Sequence, residues 1–348
     1  MLTIFAAGNG ALQQNQQWEN AMTKLTRRHL FAGVAAAGAA SALTPLLGGG
    51  ARAAAPAIKG TGVYRYTVGD YEIIQLMDGA RTFPMPDKFV VNVSKDEAIK
   101  AAVAAYMPEG KVTIPFSPMI VNTGSKLIAI DTGNGLGANA ASKGAVGQAR
   151  LNMEAAGIDP KQIDVVIISH FHGDHIGGLK NADGSPAFPN AEIKVPAVEA
   201  KFWGDDANAD KANGFNKGQF PGVKKTMAGL KTTPYEAGKE VAPGITSVFT
   251  PGHTPGHMSF VIASGSQKIL VQSDVTNIPS MFLNHPDWHC IFDNEPDLAQ
   301  TTRHKMYDMA AAEKMVVVGY HFPYPCVGHV EKAGSDYRLV PVAWDPNG

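Results

Sequence analysis

The sequence predicts an α/β protein built as one layered sandwich, on three observations. Strand and helix patterns follow one another in mixed order after residue 60, no unit recurs at a fixed period, and no low-complexity linker divides the chain. At 348 residues, 45% hydrophobic and 18% charged, the chain is long enough to bury one large core.

Residues 64–67 and 71–75 alternate apolar and polar side chains around Gly69-Asp70, the pattern of a hairpin. A helix is predicted over 95–106, starting near Ser94. Strands at 118–122 and 126–130 flank the Gly124-Ser125 turn, and the second runs into Asp131-Thr132-Gly133. A helix at 146–156 and a loop with Asp159-Pro160 lead to 165–168, a strand of Val and Ile alone. Continuous apolar runs of this kind mark buried strands, and ligands sit beyond their carboxyl ends. Residues 204–222, polar and glycine-rich without clear periodicity, predict a loop or cap. Strands at 246–250, 259–263, 269–272, 315–318 and 337–342, with a helix at 297–313, complete the pattern.

A formal net charge of −1 without any long basic run argues against a nucleic-acid partner. The first fifty or so residues read differently from the rest. Thr26-Arg27-Arg28-His29-Leu30-Phe31 opens an uncharged stretch over 30–51 dominated by Ala, Gly and Leu, and Ala51-Arg52-Ala53 places small residues where a signal peptidase needs them. Residues 1–53 are therefore expected to be a cleaved twin-arginine signal, with Met22 as an alternative start, and 54–348 a single domain that is periplasmic or secreted and free of the membrane. A transmembrane anchor is the competing reading, since the run is long enough to span a bilayer, but Pro45 and Gly48-Gly49-Gly50 interrupt it. Cys290 and Cys326 lie in no metal-type spacing, and whether they pair is left open.

His170-Phe171-His172-Gly173-Asp174-His175 carries the chemistry: three imidazoles and a carboxylate within six residues, at the end of a buried strand. Imidazole nitrogen and carboxylate oxygen suit zinc, iron, cobalt or manganese, and the absence of thiolate argues against a closed structural zinc site. In a turn after a strand, positions 170 and 172 can face one way and 174 and 175 another, so one segment can serve two ions. A lone histidine is more often a surface or satisfied core residue. Four ligand-type side chains together are poorly explained by packing, because unpaired polar groups are costly there.

Continued by Ile176-Gly177-Gly178, the run resembles the HxHxDH signature of the metallo-β-lactamase superfamily, which implies an αββα sandwich of two mixed sheets flanked by helices. Thr250-Pro251-Gly252-His253-Thr254-Pro255-Gly256-His257 resembles that family's next ligand loop, with His253 as the ligand. Asp274 resembles its bridging carboxylate and His321 its last histidine. The resemblance implies one ion on His170, His172 and His253 and another on Asp174, His175 and His321, with Asp274 between them. Zinc is the foremost candidate, with cobalt, iron and manganese as alternatives. Asp131 matches a supporting position, or is a plain turn carboxylate; His257 reads as a support rather than a ligand.

A narrower resemblance, to the methyl parathion hydrolase group and its lactone-hydrolysing relatives, rests on Gly62-Val63-Tyr64-Arg65, Val121-Asn122-Thr123-Gly124-Ser125-Lys126-Leu127, Ala187-Phe188-Pro189-Asn190-Ala191 and Gly328-His329-Val330, and covers about residues 60–344. That group lines its leaving-group pocket with aromatic residues. Trp203 and Phe215 fall at matching places, and Phe322 and Tyr324 are added as candidates for gripping an apolar acyl or aryl group. Gly135-Leu136-Gly137-Ala138 stands where a third aromatic is usual, and Ser273 where glycine precedes the bridging carboxylate.

The implied chemistry is attack by a hydroxide bridging two cations on a carbonyl carbon or a phosphorus, with Asp174 orienting it and shuttling its proton. Small-molecule lactones and aryl esters are the expected substrates, and a dedicated phosphotriesterase is the runner-up. Asp274 speaks against a β-lactamase, and a tail after His321 with only Lys332 and Arg338 as basic side chains speaks against a glutathione thioesterase. The full ligand set argues against a metal-binding protein without turnover. A homodimer is left open.

Overall fold

The computed structural model describes residues 62–343, so the expected export signal lies outside the described residues. Two seven-stranded mixed sheets dominate. The first runs in the order β1 (Val63–Val68), β2 (Tyr71–Leu76), β5 (Met119–Asn122), β6 (Leu127–Ile130), β7 (Val165–Ile167), β8 (Glu192–Pro196) and β9 (Thr232–Tyr235). It is antiparallel from β1 to β6 and parallel from β6 to β9. The second runs from β10 (Glu240–Ala242) through β11 (Ile245–Phe249), β12 (Met258–Ser264), β13 (Gln267–Ser273), β14 (Val316–Gly319) and β15 (Val327–Ala333) to β16 (Asp336–Pro341). Within it β13 and β14 are parallel and the other pairs antiparallel.

The period of two along each strand sorts the core into layers. Ile73, Val121, Ile128, Ile130 and Ile167 point between the sheets, where they meet Phe260, Ile262, Leu270 and Val317. Their neighbours Ile74, Ile120, Ala129, Val166 and Ile168 point outward onto α3 (Ala149–Ala155), α5 (Ala197–Gly204) and α6 (Gly214–Met227) through Met153, Trp203, Phe220 and Val223. On the second sheet lies α7 (Pro296–Ala312), with Met306, Tyr307 and Ala310 buried. The result is an αββα sandwich.

Outside these layers, β3 (Gly79–Pro84) pairs with β4 (Lys111–Phe116) as a separate two-stranded sheet. The chain between them forms α1 (Lys95–Ala104), capped by Ser94, whose hydroxyl accepts from Glu97 N at 3.2 Å. This excursion closes over a third cluster with Phe89, Phe116, Phe282 and Trp288. Cys290 belongs to that cluster and Cys326 to the one between the sheets; both are buried free thiols. Among the described residues no helix is long and apolar enough to cross a membrane.

The loop expected over 204–222 is a correction. Most of it is helical, with α6 capped by Asn213, whose side chain accepts from Asn216 N at 2.8 Å. Gly214, Gly218, Pro221 and Gly222 mask the period in the sequence, yet Asn216, Phe220 and Val223 form a buried i, i+4, i+7 stripe. The helix expected over 146–156 begins only at Ala149, because Val146 forms a bridge with Gly79.

Candidate metal centre

The four carboxyl-terminal ends of the parallel pairs β6–β7 and β13–β14 converge on one rim. Beyond β7 the chain places His170 and His172, then makes a single helical turn, α4 (Gly173–Ile176), that carries Asp174 and His175. The second sheet contributes His253 from the β11–β12 loop, Asp274 directly after β13, and His321 two residues after β14. These side chains assemble into two donor groups, His170 with His172 and His253, and Asp174 with His175, Asp274 and His321. Within each group the ligand atoms lie within 4.8 Å of one another. Asp274 spans both: its Oδ2 is 2.9 Å from His321 Nε2 and 3.4 Å from His253 Nε2, and its Oδ1 is 3.3 Å from His175 Nε2.

The outward nitrogen of each ring is tied to an acceptor. His175 Nδ1 donates to Asp131 Oδ2 at 2.8 Å, His172 Nε2 to Asn216 Oδ1 at 2.6 Å, His253 Nδ1 to Asp293 Oδ1 at 2.9 Å and His321 Nδ1 to the Pro115 carbonyl at 2.8 Å. The Ser169 hydroxyl donates to Asp131 and so accepts from His170 Nδ1 at 3.1 Å. These contacts fix the tautomers so that the other nitrogen of each ring offers a lone pair to the centre. His170 Nε2, His175 Nε2 and Asp274 Oδ1 are buried with no hydrogen-bond partner. Orphaned polar atoms are costly. A nitrogen left open in the first group, and a nitrogen and an oxygen in the second, fit divalent cations.

The charges agree. Burial, reinforced by the neighbouring His175, holds the His170 imidazole well below its ordinary range, and burial with His253 takes His172 down to about 3. Burial works to raise the Asp174 carboxyl, but His175 and His321 outweigh it and bring it to about 2. Burial likewise opposes ionisation of Asp274, and His321 and His175 overcome it and hold that carboxyl well down. Burial would lower His175 and His321; Asp274, aided by the other nearby carboxylates, raises both. Without a cation these two rings tend to keep a second proton on the inner nitrogen, and a cation bound there would take that proton's place.

His257 is a support. Its Nδ1 is held by Thr250 and its Nε2 accepts from Asp274 N at 3.0 Å, so both ring nitrogens are used. Asp131 also supports, binding Ser169 N, the Ser169 hydroxyl and His175. Ser273 takes φ +50, in the left-handed region where glycine is at ease, which explains the glycine usual at that position.

A cavity of about 790 Å³ opens over the centre. Phe83, Ile114 and Phe116 of β3–β4 form one wall, Phe215 and Phe292 another, and His172, Asp174, Asp274, Asn277 and His321 also line it. Of the four expected substrate contacts only Phe215 is there; the other three are corrections. Trp203 is 1% exposed and stands behind His172, with ring centroids 6.1 Å apart, its indole N–H donating to Glu199 at 2.7 Å. Phe322 is fully buried between the sheets, and the Tyr324 hydroxyl donates to the Gln75 carbonyl at 3.3 Å against that same core. After His321 the chain turns back into the sandwich to form β15, which carries both away from the opening. Ala138 of the short helix α2 (Gly135–Ala141) lines the cavity where the usual aromatic is missing.

Asn216, Asp293 and Glu199 carry no motif or spacing that marks them in the sequence. Tyr320 was missed too, although its hydroxyl donates to the Asp174 carbonyl at 2.6 Å and its ring lies 3.9 Å from that of His175.

Two mixed sheets with a histidine–aspartate centre at their shared rim define a class of metal-site proteins. The chain belongs to the metallo-beta-lactamase superfamily, whose family profile matches residues 117–317, more than half of it. It is 32% identical to the N-acyl homoserine lactonase AttM of Agrobacterium fabrum over 123 residues, 34% of this chain and 43% of that protein. It is 28% identical to an N-acyl homoserine lactonase of Bacillus sp. over 170 residues, 49% of this chain and 60% of that one. The chain thus spans about half the length of the curated relatives it matches. Among solved structures, the hydrolase AbOPH superposes with a TM-score of 0.75 at 27% identity, over 83% of this chain and 100% of its own. AidC, a dizinc quorum-quenching lactonase in complex with the product N-hexanoyl-L-homoserine, gives 0.75 at 26%, over 82% and 98%.

Proposed function

We propose that the chain is a metal-dependent hydrolase that opens lactones, with aryl esters and organophosphate triesters as secondary substrates. The observation that carries this reading is the set of orphaned donor atoms in a three-histidine group and a histidine–aspartate group beneath an apolar-walled cavity. The lactonases among its relatives support it. His170, His172 and His253 would hold one divalent ion, Asp174, His175 and His321 the other, and Asp274 would reach both. Bound there, two such ions supply activation of water at neutral pH and polarisation of the substrate's carbonyl or phosphoryl oxygen. Zinc is the first choice because the dizinc neighbour shares the fold, and cobalt, iron and manganese accept the same donors.

The protein's own residues do the rest. Asp174 lines the cavity, ionised and anchored between His175 Nε2 at 3.5 Å and His321 Nε2 at 3.6 Å. Its carboxylate takes the proton of the attacking water and returns it to the leaving oxygen. Phe83, Phe116, Phe215 and Phe292 bury an acyl chain and exclude bulk water. The small Ala138 in this wall favours a flexible acyl lactone over a dedicated aryl phosphotriester site. The twin-arginine reading of residues 1–53 adds export to the periplasm or beyond, which N-terminal sequencing of the mature protein tests.

The deciding experiment is a kinetic panel on protein of measured metal content, using an N-acyl homoserine lactone, an aryl ester and a nitrophenyl phosphotriester. Lactone opening is expected to be fastest. No turnover of any of the three with two ions bound overturns the proposal. Phe215→Ala is expected to raise KM for a long-chain acyl lactone about tenfold, the equivalent of part of one buried ring, with metal content unchanged. An unchanged KM would remove Phe215 from the acyl site.

A further inference from the structure

Glu199 is a fully buried carboxylate on α5 that touches neither donor group. Its Oε2 accepts from Phe171 N at 3.0 Å and from the Trp203 indole at 2.7 Å, and its Oε1 accepts from Gly256 N at 2.7 Å. Phe171 sits between His170 and His172. Gly256 lies three residues after His253, and Trp203 backs the His172 ring. One carboxylate therefore ties together two ligand-bearing loops and the wall behind them, all serving the same donor group. The loop is drawn close: a Cβ on Gly256 would lie 2.5 Å from Glu199 N, so a glycine is needed there. These three donors are neutral N–H groups, and only a side chain with acceptors on both arms satisfies them. Glutamine has the same shape but turns an N–H₂ toward an N–H whichever way it is placed.

We infer that Glu199 is a positioning residue that sets the metal affinity of the His170–His172–His253 group separately from that of the Asp174–His175–Asp274–His321 group. The inference rests on the proposed two-ion site. Outlying partners of metal ligands act by holding the donors at the right separation, and their loss weakens binding without removing a ligand.

Zinc alone is the probe, titrated into the full chain against a chromophoric chelator that resolves two dissociation constants. Glu199→Gln is expected to weaken one of them about 10–100-fold and leave the other within about threefold. The weakened site is assigned by pairing with His253→Ala: if both act on one group, adding Glu199→Gln to His253→Ala weakens the remaining site no further. Trp203→Phe keeps an aromatic ring, though a smaller one, and removes one donor, and it is expected to weaken the same site by several-fold should Glu199→Gln not fold. Equal weakening of both sites, or of neither, overturns the role of Glu199. A wild-type chain that holds fewer than two zinc ions overturns the functional reading beneath it, a result distinguishable from the first because it needs no variant.

Discussion

On the proposed lactonase reading, Asp274→Ala is expected to lower kcat/KM for lactone opening by about three orders of magnitude or more, a transition-state loss of roughly 4 kcal/mol, and to strip at least one ion from the purified protein. The size follows from the position of the carboxylate, which faces His175, His253 and His321 at 2.9–3.4 Å and so serves both donor groups. Removing it would untie both of the proposed ions and leave three imidazoles facing one another without the anion that offsets them. His257, whose Nε2 holds the backbone of residue 274, keeps the chain in place, so the variant tests the carboxylate and not the loop. Metal analysis beside steady-state kinetics checks it. Full activity at unchanged metal content would refute the bridging role.

The largest effect on stability is expected from Arg303→Ala. Arg303 is 1% exposed, and its guanidinium donates to the carbonyls of Val275, Pro286 and Trp288 at 2.7–3.1 Å and to Asp293 Oδ2 at 3.3 Å. Truncation leaves three acceptors unsatisfied and Asp293 as an uncompensated buried charge, a loss of about 3–5 kcal/mol in urea unfolding. Because the other oxygen of Asp293 orients His253, zinc affinity should fall along with stability. Lysine is not expected to rescue, since one ammonium cannot reproduce a planar fork that serves four acceptors. A change below about 1 kcal/mol would show that the network relaxes around the gap.

The seven residues of the two donor groups were legible as a set because ligand chemistry restricts residue type and because His170 to His175 is short enough to be seen as a unit. The strands that lead to them were legible for a related reason: Val165 to Ile168 is apolar at every position, as a strand flanked on both sides must be. The walls of the cavity were not. An aromatic side chain carries no mark of the face it occupies, so nothing in the sequence separates Phe322 and Tyr324 beside His321 from the wall residues Phe83 and Phe116, which arrive from β3–β4 far earlier in the chain. Asn216 was hidden within a helix whose glycines and Pro221 blurred its period. Nothing in the sequence couples Asp293 to Arg303, because only the folded chain brings them to each other. Proline in β9, at Pro234, argues against a strand in isolation and is tolerated because that strand lies at the sheet's edge.

The parallel pairs β6–β7 and β13–β14 belong to different sheets, yet both end at the same rim. His170, His172, Asp174 and His175 hang from the first sheet and His253, Asp274 and His321 from the second, so each donor group draws on both. Ions held there would be stitches across a seam. They would bind the docked sandwich and not its separated halves, so their binding energy would add directly to the cohesion of the two sheets. On the proposed two-ion reading a chelator is therefore expected to loosen the fold as well as empty the rim, and the layer that buries the core would share its stability with the donor groups above it.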